Sequence, residues 1–172
     1  GIINSNGKWL FFIGADDILV ESAIENALSI IKNTNKDIII GNYYENANGT
    51  LKLIEQKPFN FKYQLLKGCI NHQSVFIKKS IFETFGLYDL NFKLASDYEL
   101  YLRIPFNYLK KAHKTEHTFT YYNTTGVSSI NLNEVYNERR IIIHKHFGKI
   151  IGFIYNMYLK YVSNNYSSSS SL

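Results

Sequence analysis

Three short polar runs sit where apolar runs begin or end, and each could carry chemistry. Asp16-Asp17 comes just after the apolar stretch Trp9-Leu10-Phe11-Phe12-Ile13, across Gly14-Ala15. Two carboxylates at the end of a buried strand lie at the edge where open α/β sheets receive ligands. Their hard oxygens suit Mg²⁺ or Mn²⁺, a cation able to neutralise a diphosphate leaving group. The same pair is explained equally well as a polar turn entering a helix, whose N-terminus favours negative charge. Ser96-Asp97-Tyr98-Glu99 is the second run. Asp97 could act as a general base toward a hydroxyl within hydrogen-bond reach. Read alone, the capping-box spacing of Ser96 and Glu99 gives the simpler account, a helix start. In the third run, Asn71-His72-Gln73, His72 could line a pocket beside its polar neighbours, although a lone strand histidine is more often structural.

Other chemistries find little support. His144 and His146 are two residues apart, so on a helix they diverge and make a poor metal pair. His113 and His117 would share a face only in a helix, and Thr118 to Tyr122 reads as a strand. The chain has no Gly-x-x-x-x-Gly-Lys loop, no Cys-x-x-Cys, no Gly-x-Ser-x-Gly and no nucleic-acid-binding motif. Its 172 residues, 45% hydrophobic and 19% charged, suffice for one folded domain with a real core. The aromatic share of 16%, mostly Tyr and Phe, supplies rings for core packing or for stacking on sugars. A net charge of +5 favours anionic partners, among them a nucleotide sugar or an acidic membrane face. The single cysteine, Cys69, excludes an internal disulfide and fits a reducing compartment. No apolar run is long enough to span a bilayer, and the expected location is the cytoplasm.

The elements that must position these residues follow from periodicity. Lys8 to Ile13 reads as a buried strand, residues 22–33 as an amphipathic helix opened by Ser22 and Glu25, and Asp37 to Tyr44 as a second buried strand. Strand, helix, strand with short connections implies parallel strands. Thr50 to Ile54 should pair back across the Asn46-Ala47-Asn48-Gly49 turn. A strand through residues 71–77, a short helix from Lys79 to Phe85 ended by Gly86, and a helix from Ser96 to about Arg103 come next. From Asn133 to Val162 the pattern is helical, as one helix or as two broken near Gly148 and Gly152. Ile143, Phe147, Ile150, Ile154, Met157 and Tyr161 form its expected packing face, and Lys145, Lys149, Asn156 and Lys160 a basic one suited to a membrane surface. Ser163 to Leu172 reads as a disordered tail. The expected units are residues 1–130, residues 131–162 and residues 163–172.

In order and spacing, these segments resemble family 2 glycosyltransferases with the GT-A fold. Residues Gly1 to Ile13 are similar to that family's approach to its metal motif, and Gly14-Ala15-Asp16-Asp17 stands at the motif itself, with Gly14 where many members have Asp. His72-Gln73-Ser74-Val75-Phe76, Phe85-Gly86-Leu87-Tyr88-Asp89, Leu94-Ala95-Ser96-Asp97-Tyr98-Glu99-Leu100 and Gly126-Val127-Ser128 resemble its later motifs. The resemblance implies a GT-A-like mixed, mostly parallel sheet flanked by helices. It implies an inverting transfer of a hexosyl group from a nucleotide-sugar donor to a saccharide or lipid-linked saccharide, in bacterial cell-surface polysaccharide synthesis. Asp97 would be the base. Asp16 and Asp17 would bind a divalent metal, Mg or Mn, and with His72 and Gln73 the donor; Gly126, Val127 and Ser128 would face the acceptor. The family begins with nucleotide-binding strands and helices that precede the segment matched by Gly1, so Gly1 is not expected to be the biological start. A non-catalytic fragment or partner subunit is the alternative, as is a membrane-surface module at the inner face of the cell membrane. No nucleic-acid partner is expected.

Overall fold

The structure is a computed structural model that describes residues 1–60, 70–126 and 131–169, with side chains described as far as residue 159. Its elements are β1 (Trp9–Phe11), β2 (Ile18–Leu19), α1 (Ala23–Asn33), β3 (Ile38–Ala47) and β4 (Thr50–Ile54). A 3-10 turn (His72–Ser74) then runs into β5 (Val75–Lys78), followed by α2 (Lys79–Phe85), α3 (Ser96–Arg103), α4 (Phe106–Leu109), β6 (His113–Asn123) and α5 (Leu132–Ser169).

One sheet organises the chain, in the order β1-β5-β3-β6-β2, with β4 paired to the far half of β3. The mixed sheet and its flanking helices match the expected architecture, but among the described residues only β3 and β6 pair in parallel. The β1–β5, β5–β3, β2–β6 and β3–β4 pairs are antiparallel. The strand-helix-strand unit β1-α1-β3 does run its two strands in the same direction. Strand β5, arriving from later in the chain, is inserted between them, and local sequence carries no sign of that insertion.

Strand β3 is apolar without alternation because both of its faces are covered. Ile38 and Ile40 join Val75 and Ile77 beneath α2, α3 and α4, against Ile81, Phe82, Leu100, Ile104 and Leu109. Ile39 points the other way, onto Phe76, Phe119 and the small residues Ala23 and Ala27 of α1. Full burial of each of these aliphatic or aromatic side chains contributes about 1.5–3 kcal/mol. Ser22 does precede α1, but its hydroxyl accepts from the Asn26 side chain at 3.1 Å and caps no backbone N–H.

A third core joins α3 to α5 through Ala95, Tyr98, Ile142, Ile143 and Tyr155. The α5 segment is two helices folded back at Gly148, whose φ of 76° and ψ of −177° are non-helical. The fold-back is fixed by a 2.8 Å bond from Arg140 Nε to Asn156 Oδ1. Gly152 lies against the His144 ring, where an added Cβ would come within 2.4 Å. This break resets the helical phase, so the expected packing face holds only up to Gly148, and Tyr161 lies outside the described side chains. Ile143 and Phe147 pack inward, whereas Ile150, Ile154 and Met157 are exposed and Ile151 and Tyr155 take their place. Helical backbone continues to Ser169, into the segment expected to be a disordered tail.

Gly86 ends α2 with φ 87°, and an added Cβ would stand 2.6 Å from Arg103 Nη1. That guanidinium donates to the carbonyls of Phe85 and Leu87, so it is not free to withdraw. Gly86→Ala should therefore cost about 1–3 kcal/mol in a urea unfolding curve. An unchanged midpoint would contradict the packing described for this turn.

Candidate active site

Three segments meet at one edge of the sheet. Strands β1 and β6 end there, and β5, running the opposite way, begins there. The Asp16-Asp17 turn, the His72-Gln73 turn and the stretch after Asn123 are thereby adjacent. The loop before α3 closes the fourth side. Between them lies a cleft of about 420 Å³, lined by Asp16, His72, Gln73, Asp97, Asn123 and Gly126 among others.

The two adjacent acids have different surroundings. Asp17 is built into the frame: Oδ2 accepts from the Gly14 amide at 3.0 Å and from Gln73 Nε2 at 2.5 Å, and Oδ1 accepts from the Asn123 amide at 2.9 Å. Asp16 is exposed and lines the cleft. Both carboxylates crowd Gly14, where an added Cβ would meet Asp17 Oδ2 at 2.6 Å and Asp16 Oδ1 at 3.1 Å. A side chain at position 14 would displace the pair, which is a physical reason for glycine there. Among the described residues no group of three or more His, Cys, Asp or Glu is placed to hold a metal ion. Asp16 fits the one-carboxylate share of a Mg²⁺ shell that draws its other ligands from water and phosphate.

Asp97 stands in the first turn of α3 and contacts His72, with Oδ2 at 3.0 Å from Nδ1. Burial lowers the His72 pKa, but the Asp97 hydrogen bond and charge, helped by the charge of Asp17, outweigh it, so the net shift is upward. The expected capping box is not formed. The residue before α3 is Ala95, which gives no side-chain cap. Glu99 is buried and turned inward, bonded to Arg103 at 2.9 Å and to His146 Nε2 at 3.0 Å. Gly126 reaches the cleft, whereas Val127 and Ser128 lie outside the described residues.

The His72-Gln73 turn is held from behind by Asn71 and by the buried polar residues Asn42, Gln56, Ser74 and Thr120, and these four carried no signal in the sequence. Asn71 Oδ1 accepts from the Gln73 amide at 2.9 Å, and the Asn71 amide donates to Gln56 Oε1 at 2.7 Å. Thr120 Oγ1 donates to the Gln73 carbonyl, and Ser74 Oγ donates to the Asn42 carbonyl at 2.5 Å. The cleft also takes Phe12, Tyr88, Lys93 and Tyr122, none of them singled out from sequence. Tyr88 sits within the Phe85 to Asp89 motif and Tyr122 at a strand end next to a glycine loop, so position was the available clue.

The chain matches no family model. It is 28% identical over 105 residues to a PGL/p-HBAD biosynthesis glycosyltransferase of Mycobacterium bovis, covering 60% of this chain and 40% of the relative. It is 27% identical over 121 residues to an uncharacterized glycosyltransferase of Rickettsia prowazekii, covering 60% of this chain and 36% of that protein. In fold it is similar to S. aureus TarS 1-349 solved in complex with UDP-GlcNAc, with a TM-score of 0.59 at 13% identity over 85% of this chain and 45% of that one. The chain thus spans less than half the length of these relatives.

The His72–Asp97 pair predicts a pH dependence. A histidine with a raised folded-state pKa contributes stability that is fully present below its unfolded value and is lost as pH rises through the folded value. The stability difference between wild type and Asp97→Asn should be larger near pH 6 than near pH 9, by less than about 1 kcal/mol because the His72 ring is partly solvated. Urea unfolding at the two pH values checks this, and a difference independent of pH would contradict the pairing. In sequence and in fold, the chain is similar to part of a bacterial glycosyltransferase.

Proposed function

We propose that the cleft at this sheet edge is the transfer site of an inverting glycosyltransferase whose full-length form is comparable in size to the relatives it matches. The observation that carries the reading is the convergence of Asp16, His72, Gln73 and Asp97 on one cleft from three separate parts of the chain. In the reaction, the acceptor hydroxyl oxygen forms a bond to the anomeric carbon of the donor sugar. The bond from that carbon to the diphosphate oxygen breaks, and its electron pair leaves with the nucleoside diphosphate. The hydroxyl proton goes to Asp97. His72 holds the Asp97 carboxylate in one orientation through the 3.0 Å bond.

A divalent cation, Mg²⁺ or Mn²⁺, would supply neutralisation of the diphosphate charge when bound. Asp16 is the residue proposed to hold it, and Asp17 fixes the turn that aims Asp16. The rings of Phe12, Tyr88 and Tyr122 offer apolar faces on which a sugar can stack. Similarity to a protein solved with UDP and with UDP-GlcNAc supports a uridine diphosphate sugar as the first donor to test. The relatives named for PGL/p-HBAD biosynthesis support a saccharide or lipid-linked saccharide acceptor in cell-surface synthesis.

In the full-length enzyme, Asp97→Asn should lower turnover at least about 100-fold while UDP binding is kept. Asp16→Asn should instead weaken Mn²⁺-dependent UDP binding, read by calorimetry. Near-normal turnover in Asp97→Asn would sink the base assignment.

A contact with the inner face of the cell membrane is favoured by one further observation. No helix among the described residues is long and apolar enough to cross a membrane. Yet the second half of α5 exposes Ile150, Phe153, Ile154 and Met157 along one ridge, with Lys149 at its border. Such a ridge suits the surface of an anionic bilayer. Co-sedimentation with phosphatidylglycerol vesicles should fall several-fold for Phe153→Ser/Met157→Ser, and equal binding by the double variant would exclude this contact.

A further inference from the structure

The loop that delivers Asp97 is gripped by a single residue from α5. Oε1 of Glu138 accepts from the Lys93 amide at 2.9 Å, and Oε2 accepts from the amides of Leu94 at 2.9 Å and Ala95 at 2.8 Å. Three successive N–H groups turned toward one point form an anion-binding concavity, and a carboxylate there makes charge-assisted bonds about twice as strong as neutral ones. The need for it is local. Helix α3 has no side-chain cap, because Ala95 occupies the cap position. Behind it α5 makes a second attachment, where His146 bonds the buried Glu99. Asp97 therefore lies between two points fixed from the same helix.

We propose that Glu138 is a positioning residue for Asp97: by binding the amides of Lys93, Leu94 and Ala95 it holds the loop so that the Asp97 carboxylate faces His72 and the cleft. The functional importance of this grip rests on Asp97 being the base. The geometric claim does not, and it can be measured without turnover. His72 reports on the arrangement directly, since the nearby Asp97 carboxylate raises its pKa against the effect of burial. If the loop loosens, Asp97 leaves and only the charge of Asp17 still opposes burial, so the titration midpoint must fall.

The experiment is an NMR titration of the His72 ring in the 172-residue chain in metal-free buffer, with the His72 signals assigned by His72→Gln. Glu138→Ala should lower the midpoint by about 0.5 pH or more, approaching Asp97→Asn. Glu138→Gln keeps one acceptor oxygen but turns an amide N–H₂ toward backbone donors, and should fall in between. Arg140→Ala, which breaks the Arg140–Asn156 bond of the same hairpin without touching the loop, should leave the midpoint in place. A folded Glu138→Ala with the wild-type midpoint would overturn the proposal. If Glu138→Ala does not fold, an unchanged midpoint in Glu138→Gln would overturn it. An equal fall in Arg140→Ala would also overturn it, since the effect would then be general loosening. Should the midpoints behave as expected while Asp97→Asn still transfers sugar, the base assignment alone fails.

Discussion

The Asp17 carboxylate holds the site together. Its oxygens accept from Gly14 in the turn after β1, from Gln73 in the turn before β5, and from Asn123 at the end of β6. These segments are 56 and 106 residues from Asp17 at the two longer contacts. Hydrogen bonds to an ionised acceptor are worth about 1.5–3 kcal/mol each, and here they also set direction. With Asp17 committed to structure, its neighbour Asp16 is left to face the cleft. An adjacent pair of like residues thus divides into a buttress and a candidate ligand.

Behind this edge the sheet is polar where it would ordinarily be apolar. Asn42, Gln56, Ser74 and Thr120 are buried, and each is satisfied by backbone or side-chain partners around the His72-Gln73 turn. Such networks are costly when incomplete and rigid when complete. The consequence is a turn whose side chains point into the cleft from a fixed base. On the other side, α5 holds α3 through Glu138 and through the His146–Glu99–Arg103 chain. The C-terminal hairpin is therefore part of the architecture of the site.

Much of this was legible in the sequence, for definite reasons. Ile38 to Ile40 and Val75 to Ile77 are apolar runs recognised as buried strands, Trp9 to Phe11 is a strand but only half-buried, and Gly86 marks the end of α2. The candidate residues Asp16, His72, Gln73, Asp97 and Gly126 do share one cleft. What escaped was decided at long range. The antiparallel entry of β5 depends on a strand drawn from later in the chain. Glu138 meets its amides across 43 to 45 residues, with no local sign that a helix-face glutamate turns onto a distant loop. Glu99 fits a capping box by spacing, but the buried carboxylate takes a salt bridge to Arg103 and a hydrogen bond with His146 instead. In α5 a glycine at φ 76° shifted the helical phase, so a face inferred from one period was correct only up to Gly148.

The central claim is that the nucleotide-sugar diphosphate and its cation sit in the cleft between Asp16 and Asp97. Paramagnetic broadening by Mn²⁺ with UDP-GlcNAc, read on the backbone amides of the full-length protein, tests it most directly. The account predicts that signals of Ala15, Asp16, Gln73, Asn123 and Gly126 vanish first and reappear in Asp16→Asn. Broadening centred instead on the separate cavity beside Lys36, Asp37 and Lys111, with the cleft signals intact, would contradict it.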